Sequence, residues 1–359
     1  MLIQCTKKLL DQLKIKPEPV GTESSLFSWH ANLITINRRK TIVLMNDSSR
    51  YTVVLHGLRA NDFKHLNEHI INAIRRTLLD EWIKPELVER FLSGSPEIVY
   101  TKTKDRKLVA RMNKACDTVW FRGEALNPDH LIQSAAGRRA SALLVGDGSG
   151  SYAKPNELMY KELEAFAKEP IFSCRAVTFK ATLDLENHKA WRRVIVPIEI
   201  TFEQLHDVLQ TVFDWKESHL HDFYILDGKR PVANVVCSDD AFDYPNEVPM
   251  FMETECKLSD YVPKYSRIKY TYDFGDNWEH EIEIEKLDEH YSKNYPVCLD
   301  GVGNAPPEDV GGPYGYDEFL SAISDPKHPE HEDMIQWGSM QGYRDFNIEG
   351  VNRQLKWVL

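Results

Sequence analysis

The sequence predicts an α+β protein of two domains, each a small antiparallel or mixed sheet packed with helices. Three observations carry this expectation. Strand-length apolar runs bounded by turn signals occur in both halves of the chain. Apolar stripes at helical spacing interrupt them. A Gly/Ser-rich stretch at 146–151 divides a basic half from an acidic one, in a chain of 359 residues that is long enough for two domains.

In the first half, Leu33–Ile36 and Thr41–Met45 read as strands around a hairpin turn at Asn37, Arg38, Arg39 and Lys40. Tyr51–Leu55 is a third strand. A helix is expected from Asn61 to Leu79, because Phe63, Leu66, Ile70, Ala73, Ile74 and Leu78 fall on one face; Asn61 or Asp62 would cap it. Segments 86–92 and 129–144 also read as helices. Gly146, Asp147, Gly148, Ser149, Gly150 and Ser151 form a flexible stretch, and Pro155, a helical pattern at 158–167 and Pro170 follow. The expected division is a basic domain at 1–145, a linker at 146–170 and an acidic domain at 171–359.

The second domain is expected to begin β-β-α-β and to end in helices. Ala176–Leu183 and Trp191–Ile200 alternate as strands. A helix follows from Phe202 to Phe213, with Thr201 and Gln204 as a capping box and Phe202, Leu205, Val208, Leu209, Val212 and Phe213 as its buried stripe. His219–Ile225 is the next strand. Ile268, Tyr270, Tyr272 and Phe274 then alternate with polar residues, as do Trp278, His280, Ile282 and Ile284 with glutamates. A three-residue loop, Gly275-Asp276-Asn277, places Phe274 opposite Trp278 and Tyr272 opposite His280, with the apolar faces matched. The Pro/Gly-dense stretch from Tyr295 to Tyr316 reads as a loop of special backbone geometry. Helices at 317–324 and 347–359 close the domain.

Composition excludes several classes. Hydrophobic residues at 42% and charged residues at 28% exclude general disorder. No apolar run reaches the ~20 residues that span a bilayer, so no membrane partner is expected. Met1–Lys8 is too quickly charged for a signal peptide, and the expected location is cytoplasmic. Cys5, Cys116, Cys174, Cys237, Cys256 and Cys298 are widely spaced, which excludes a zinc ribbon or a redox dithiol. Neither a G-x-x-x-x-G-K-[ST] loop nor a G-x-S-x-G elbow occurs.

The net charge of −11 conceals an asymmetry. Residues 1–150 carry 23 Lys and Arg against 16 Asp and Glu, a net of +7, whereas 151–359 carry 21 against 39, a net of −18. The basic half could meet a polyanion such as nucleic acid. Its candidate contacts are Arg38, Arg39 and Lys40 at the hairpin tip, and Arg75 and Arg76 on a helix; a solvated turn or helix face is the simpler reading of each. In the acidic half, Asp276, His280, Glu308, Asp309 and His328 are the candidate ligands of a divalent metal, since carboxylate oxygen and imidazole nitrogen are what such ions take. His280 shares a face with Trp278 and Ile282, which makes it a core histidine unless it reaches the rim beside Asp273 or Asp276.

Several linked motifs carry a resemblance. Tyr272-Asp273-Phe274-Gly275-Asp276-Asn277-Trp278-Glu279-His280, then Cys298-Leu299-Asp300-Gly301, then Pro306-Pro307-Glu308-Asp309-Val310-Gly311-Gly312 with Gly315-Tyr316 and Asp325-Pro326-Lys327-His328, resemble the plasmid pRiA4b open-reading-frame-three family over about 170–357. The resemblance implies a compact α+β domain and an association with plasmids and insertion elements, and it implies no enzymatic activity. Many relatives carry Cys where this chain has Ala305, so a metal shared by Cys298 and that second Cys is excluded here. The first half, from Leu2 through Phe27–Asn32, resembles an uncharacterised bacterial domain. No Ser-recombinase pattern is present.

Three functional readings follow. The first, which the sequence favours, is a non-enzymatic accessory or binding protein of mobile elements, acting on nucleic acid or on a mobile-element protein; the other two are alternatives to it. The second is a metal-dependent hydrolase of phosphodiesterase or nuclease type, with the carboxylate/His site. The third is a small-ligand-binding regulatory or defence module.

Overall fold

The computed structural model describes residues 1–19, 23–121, 123–146, 150–244 and 246–359. Asp147, Gly148 and Ser149 of the expected Gly/Ser-rich stretch lie outside the described residues. The chain forms two compact units, Met1–Phe172 and Ser173–Leu359.

The first unit contains β1 (Leu2–Cys5), α1 (Lys7–Leu13), β2 (Ser28–Ile36), β3 (Arg39–Asn46), β4 (Thr52–His56), α2 (Leu66–Leu79), α3 (Pro85–Ser93), β5 (Val99–Lys102), α4 (Arg106–Phe121), α5 (Ser134–Ser141), a two-residue ladder of β6 (Val145–Gly146) with β7 (Tyr152–Ala153), and α6 (Pro155–Ala167). The main sheet has the order β4-β3-β2-β1-β5; β2, β3 and β4 are antiparallel neighbours, and β1 runs parallel to both β2 and β5. Both faces are covered. Trp29, Ala31, Leu44 and Val53 pack with Ile70, Ile74 and Leu78 of α2, while Val43, Met45 and Val54 pack with Met112, Cys116 and Val119 of α4. Burial on two faces is why these strands read as nearly continuous apolar runs.

Three local expectations are corrected. The first hairpin turn is the pair Asn37 and Arg38, both in the left-handed region, so Arg39 and Lys40 belong to β3. A 3-10 turn over Asp62–His65 precedes α2, and the Asp62 carboxylate accepts from the Arg59 N–H at 2.6 Å, so neither Asn61 nor Asp62 caps the helix. The expected linker is part of the first unit: α6 buries Met159 and Leu163, an i, i+4 pair, in the same core as α2.

The second unit contains β8 (Cys174–Leu185), β9 (His188–Pro197), α7 (Phe202–Phe213), β10 (His221–Asp227), β11 (Arg230–Val236), β12 (Met250–Met252), β13 (Arg267–Tyr272), β14 (Trp278–Tyr291), β15 (Val297–Val302), α8 (Gly312–Ser324), α9 (His331–Gln341) and α10 (Ile348–Leu355). They form the β-β-α-β opening and the helical ending. The sheet order is β12-β11-β10-β13-β14-β8-β9-β15, antiparallel except for β11 with β12. Helix α7 starts at the capping box: the Thr201 hydroxyl accepts from the Gln204 N–H at 3.2 Å, and the Gln204 side chain accepts from the Thr201 N–H at 3.0 Å. Its apolar stripe packs on the sheet, with Phe202 edge-on to Phe223 and Phe213 edge-on to His280.

The β13–β14 register differs from the expectation by two residues. Tyr272 opposes Trp278, Tyr270 opposes His280 and Ile268 opposes Ile282. The faces still match, because a shift of two preserves side-chain parity. The cause is Asp273, whose φ of 57° ends β13 at Tyr272, two residues early, and sends Phe274 into solvent.

Candidate metal centre

The centre is built where the hairpin turn, the residues before β10 and the loop after β15 meet. Asp273 closes the turn. Its Oδ1 accepts from the Gly275 N–H at 2.9 Å and the Asp276 N–H at 3.3 Å, and its carbonyl accepts from the Asn277 N–H at 2.6 Å. Its own N–H donates to the Leu220 carbonyl at 2.9 Å, which ties the turn to the start of β10. These bonds leave Oδ2 aimed at His219, 3.5 Å from Nε2.

The loop after β15 supplies the third group. Glu308 is its anchor, and it is buried. Its Oε1 accepts from the Tyr272 hydroxyl at 2.7 Å and the Lys216 N–H at 2.8 Å, and its Oε2 accepts from the Ser218 hydroxyl at 2.9 Å. The Trp215 indole N–H donates to the Pro306 carbonyl at 2.9 Å. The Gly311 N–H donates to Asp276 Oδ2 at 3.1 Å, and a Cβ at Gly312 would stand 2.9 Å from the Asp276 carbonyl oxygen. Pinned on both sides of Asp309, the loop holds that residue at φ 60° and places Oδ1 3.2 Å from His219 Nε2. A non-glycine residue in this region is uncommon and persists where its surroundings fix it.

One ligand atom each from His219, Asp273 and Asp309 lies within 4.8 Å of the others. His219 Nε2 is shielded from water yet makes no hydrogen bond, although both carboxylate oxygens are within ion-pair distance. Three potential ligand atoms therefore converge, and His219 Nε2 makes no hydrogen bond to either carboxylate. That geometry suits a divalent ion, and the His/carboxylate set suits zinc or manganese. The Asp273 side chain is buried, whereas the Asp309 side chain is 63% exposed, so the centre opens on that side.

Of the five expected metal ligands, only Asp309 belongs to this cluster, and the five do not form one site. Asp276 and Glu308 are occupied in holding the loop. His280 is buried on the interior face; its Nδ1 lies 3.1 Å from the Trp278 carbonyl oxygen and its ring meets Phe213 and Trp215. Burial drives its pKa down to about 3, which keeps it neutral. His328 accepts from the Glu330 N–H at 3.2 Å and, with Asp309, lines a groove bounded by α8 and α9. Sequence reasoning missed His219 outright and took Asp273 only as a companion of His280. The available signal was an Asp opening a Gly-Asp-Asn turn, since such a carboxylate bonds its own backbone two residues on.

A second titratable cluster lies under α7. His221 Nε2 is 2.7 Å from Glu253 Oε2, and its ring stacks on His206 at 3.4 Å. His206 Nδ1 is 2.8 Å from the Tyr270 hydroxyl. Burial alone would lower the His221 pKa, but the Cys237 thiol and the Glu253 carboxylate outweigh it and hold it up at about 9. Burial, then the charge on His221, takes His206 down to about 2.

The expected nucleic-acid contacts are mostly engaged. Arg75 grips Glu89 with two bonds of 2.6 and 3.1 Å, and Arg76 pairs with Asp80 at 2.9 Å. Arg39 donates to the Pro128 carbonyl and Lys40 to the Gln12 side chain. Arg38 stands exposed at the turn. Among the described residues, no helix is long and apolar enough to cross a membrane.

The comparisons with known proteins follow the same division. The profile of a domain of unknown function (DUF6933) matches residues 2–158, and that of the plasmid pRiA4b ORF-3-like protein matches 175–355. The uncharacterized protein y4hQ of Sinorhizobium fredii is 36% identical over 169 residues, covering 46% of this chain and 82% of that protein. A crystal structure of a protein of unknown function from Methanosarcina mazei, MM3350, is 35% identical and covers 46% of this chain and 90% of that one, with a TM-score of 0.41. His219, Asp273 and Asp309 all fall inside the 175–355 match, which spans half of the chain, and by that match the protein belongs to the plasmid pRiA4b ORF-3-like family.

Proposed function

We propose that the second unit binds one divalent metal ion through His219 Nε2, Asp273 Oδ2 and Asp309 Oδ1, and that the protein is a metal-dependent hydrolase. The observation that carries this reading is the convergence of those three atoms around an imidazole nitrogen that is shielded from water and makes no hydrogen bond. Hydrolytic metal sites commonly use three protein ligands and keep a position open. When bound, such an ion supplies Lewis acidity and lowers the pKa of coordinated water. The chain does the positioning: two backbone N–H groups orient Asp273, and the buried Glu308 fixes the backbone that carries Asp309.

Thermal unfolding of the full chain with and without Mn²⁺ or Zn²⁺ tests the reading. A ligand at a hundred-fold excess over Kd stabilises by about 2.7 kcal/mol, which for a unit of this size raises Tm by about 5–10 °C. Asp273→Asn is expected to lose the shift while retaining its far-UV spectrum. An equal shift in Asp273→Asn would place any bound ion elsewhere. Metal-dependent turnover of an activated phosphodiester, lost in the same variant, is the expected activity.

A further inference from the structure

The first unit contains a cavity of about 230 Å³ lined by Arg50, Thr52, Arg111, Lys114, Thr118 and Leu144, among others. Its innermost charge is Arg50, only 8% exposed. The turn that carries it is rigidly made. Asn46 Oδ1 accepts from the Ser48 and Ser49 N–H groups and from the Ser49 hydroxyl, and Asn46 Nδ2 donates to the Leu26 carbonyl. The Arg50 N–H donates to the Asn46 carbonyl at 2.9 Å, and Arg50 itself sits in the left-handed region at φ 67°. A bulky residue held there is fixed by its surroundings. Nη1 donates to the Gly146 carbonyl at 2.9 Å, one use of a guanidinium that carries five donors.

The other cations come from one face of α4, where Arg111, Lys114 and Thr118 follow at helical spacing. Burial, and next the like charge of Arg111, lowers the Arg50 pKa. Among the described lining residues there is no Asp or Glu. Pro155 at the first position of α6 also lines the cavity, so that helix turns its positive end toward the site. Met45, Ala140, Leu143 and Leu144 form an apolar wall, and Leu144 is 66% exposed.

We propose that this cavity takes the phosphate group of a small phosphorylated molecule, with Arg50 as the buried anchor, Arg111 and Lys114 as outer clamps, and the Leu143–Leu144 wall receiving the body of the ligand. Phosphate fits better than a carboxylate because several cations match a multiply charged anion and a guanidinium bonds phosphate oxygens in pairs. A small molecule fits better than a polymer. The volume is below the ~300 Å³ of ordinary ligand pockets, and the anchor is buried rather than spread along a surface track.

Calorimetric titration of the full chain with pyrophosphate and with inorganic phosphate, in EDTA and at fixed ionic strength, tests this. EDTA removes the metal centre from the outcome, so this result and that of the proposed hydrolase are read separately. The expected result is one pyrophosphate per chain, weakened about ten-fold or more by Arg111→Gln and by Lys114→Gln. Lys107→Gln, on the same helix and outside the cavity lining, is expected to change nothing. Absence of binding by both anions, or equal affinity in Arg111→Gln and Lys114→Gln, overturns the proposal. A single-stranded decanucleotide that binds more tightly than a nucleoside monophosphate overturns the small-molecule assignment.

Discussion

Glu308→Ala is expected to destabilise the second unit by about 2–4 kcal/mol, measured as a shift of its denaturant midpoint. The carboxylate receives three donors from two separate segments, the Lys216 N–H, the Ser218 hydroxyl and the Tyr272 hydroxyl. Hydrogen bonds to a charged acceptor contribute about 1.5–3 kcal/mol each, but they share one anchor and do not add fully. Lys216 and Ser218 can turn to water once the carboxylate is gone, whereas the Tyr272 hydroxyl stays buried. Glu308→Gln keeps the shape and an acceptor oxygen and is expected to recover more than half of the loss. The Ala variant should also bind metal more weakly, because the backbone carrying Asp309 loses its anchor. A midpoint within the scatter of wild type would show that the loop is held by something other than Glu308.

Raising the pH from 7 to 10 is expected to destabilise the second unit through His221. Its folded pKa, about 9, lies above the ordinary 6.5. A raised histidine contributes its full stabilisation below about 6.5 and loses it as the pH climbs through 9. The contribution is on the order of 3 kcal/mol, from about 2.5 pH units at 1.36 kcal/mol each. Its surroundings account for the sign: Glu253 bonds Nε2, Cys237 faces the ring, and the stacked His206 stays neutral. Asp207, raised to about 8 by burial and then by Glu217, also gives up its proton in this window. The measurement is therefore a comparison. Wild type should lose stability more steeply than Glu253→Gln between pH 7 and 10, and parallel curves would show that the His221–Glu253 pair does not carry the effect.

Much of the second unit was legible because its patterns are local. The capping box of Thr201 and Gln204 and the stripe from Phe202 to Phe213 mark α7 without reference to any other segment. Alternation in 267–286 fixes which residues face inward but not which pairs oppose, since registers two residues apart keep the same parity. The left-handed exit at Asp273 decided between them. β1 and β5 are too short, at four residues each, to show a period. The α4 stripe of Met112, Cys116 and Val119 is diluted by Arg, Lys and Asn on the same helix. The centre was half legible. The loop that carries Asp309 stood out as Pro/Gly-dense, and Asp309 was among the expected ligands. The partners of Asp309 and Glu308 come from residues 216–219 and 272–273, and nothing in the chain order announces that meeting. Glu308, which looks like a ligand in sequence, spends its oxygens on three donors that only the fold delivers.

The metal content of the full, untagged chain tests the central claim most directly. The chain would be equilibrated with Mn²⁺ or Zn²⁺, freed of unbound ion and assayed by plasma mass spectrometry. The predicted result is about one ion per wild-type chain, lost in Asp273→Asn and in Asp309→Asn and kept in His328→Ala. Wild type without metal, or the same content in the wild type and both Asp variants, would contradict a metal centre at His219, Asp273 and Asp309.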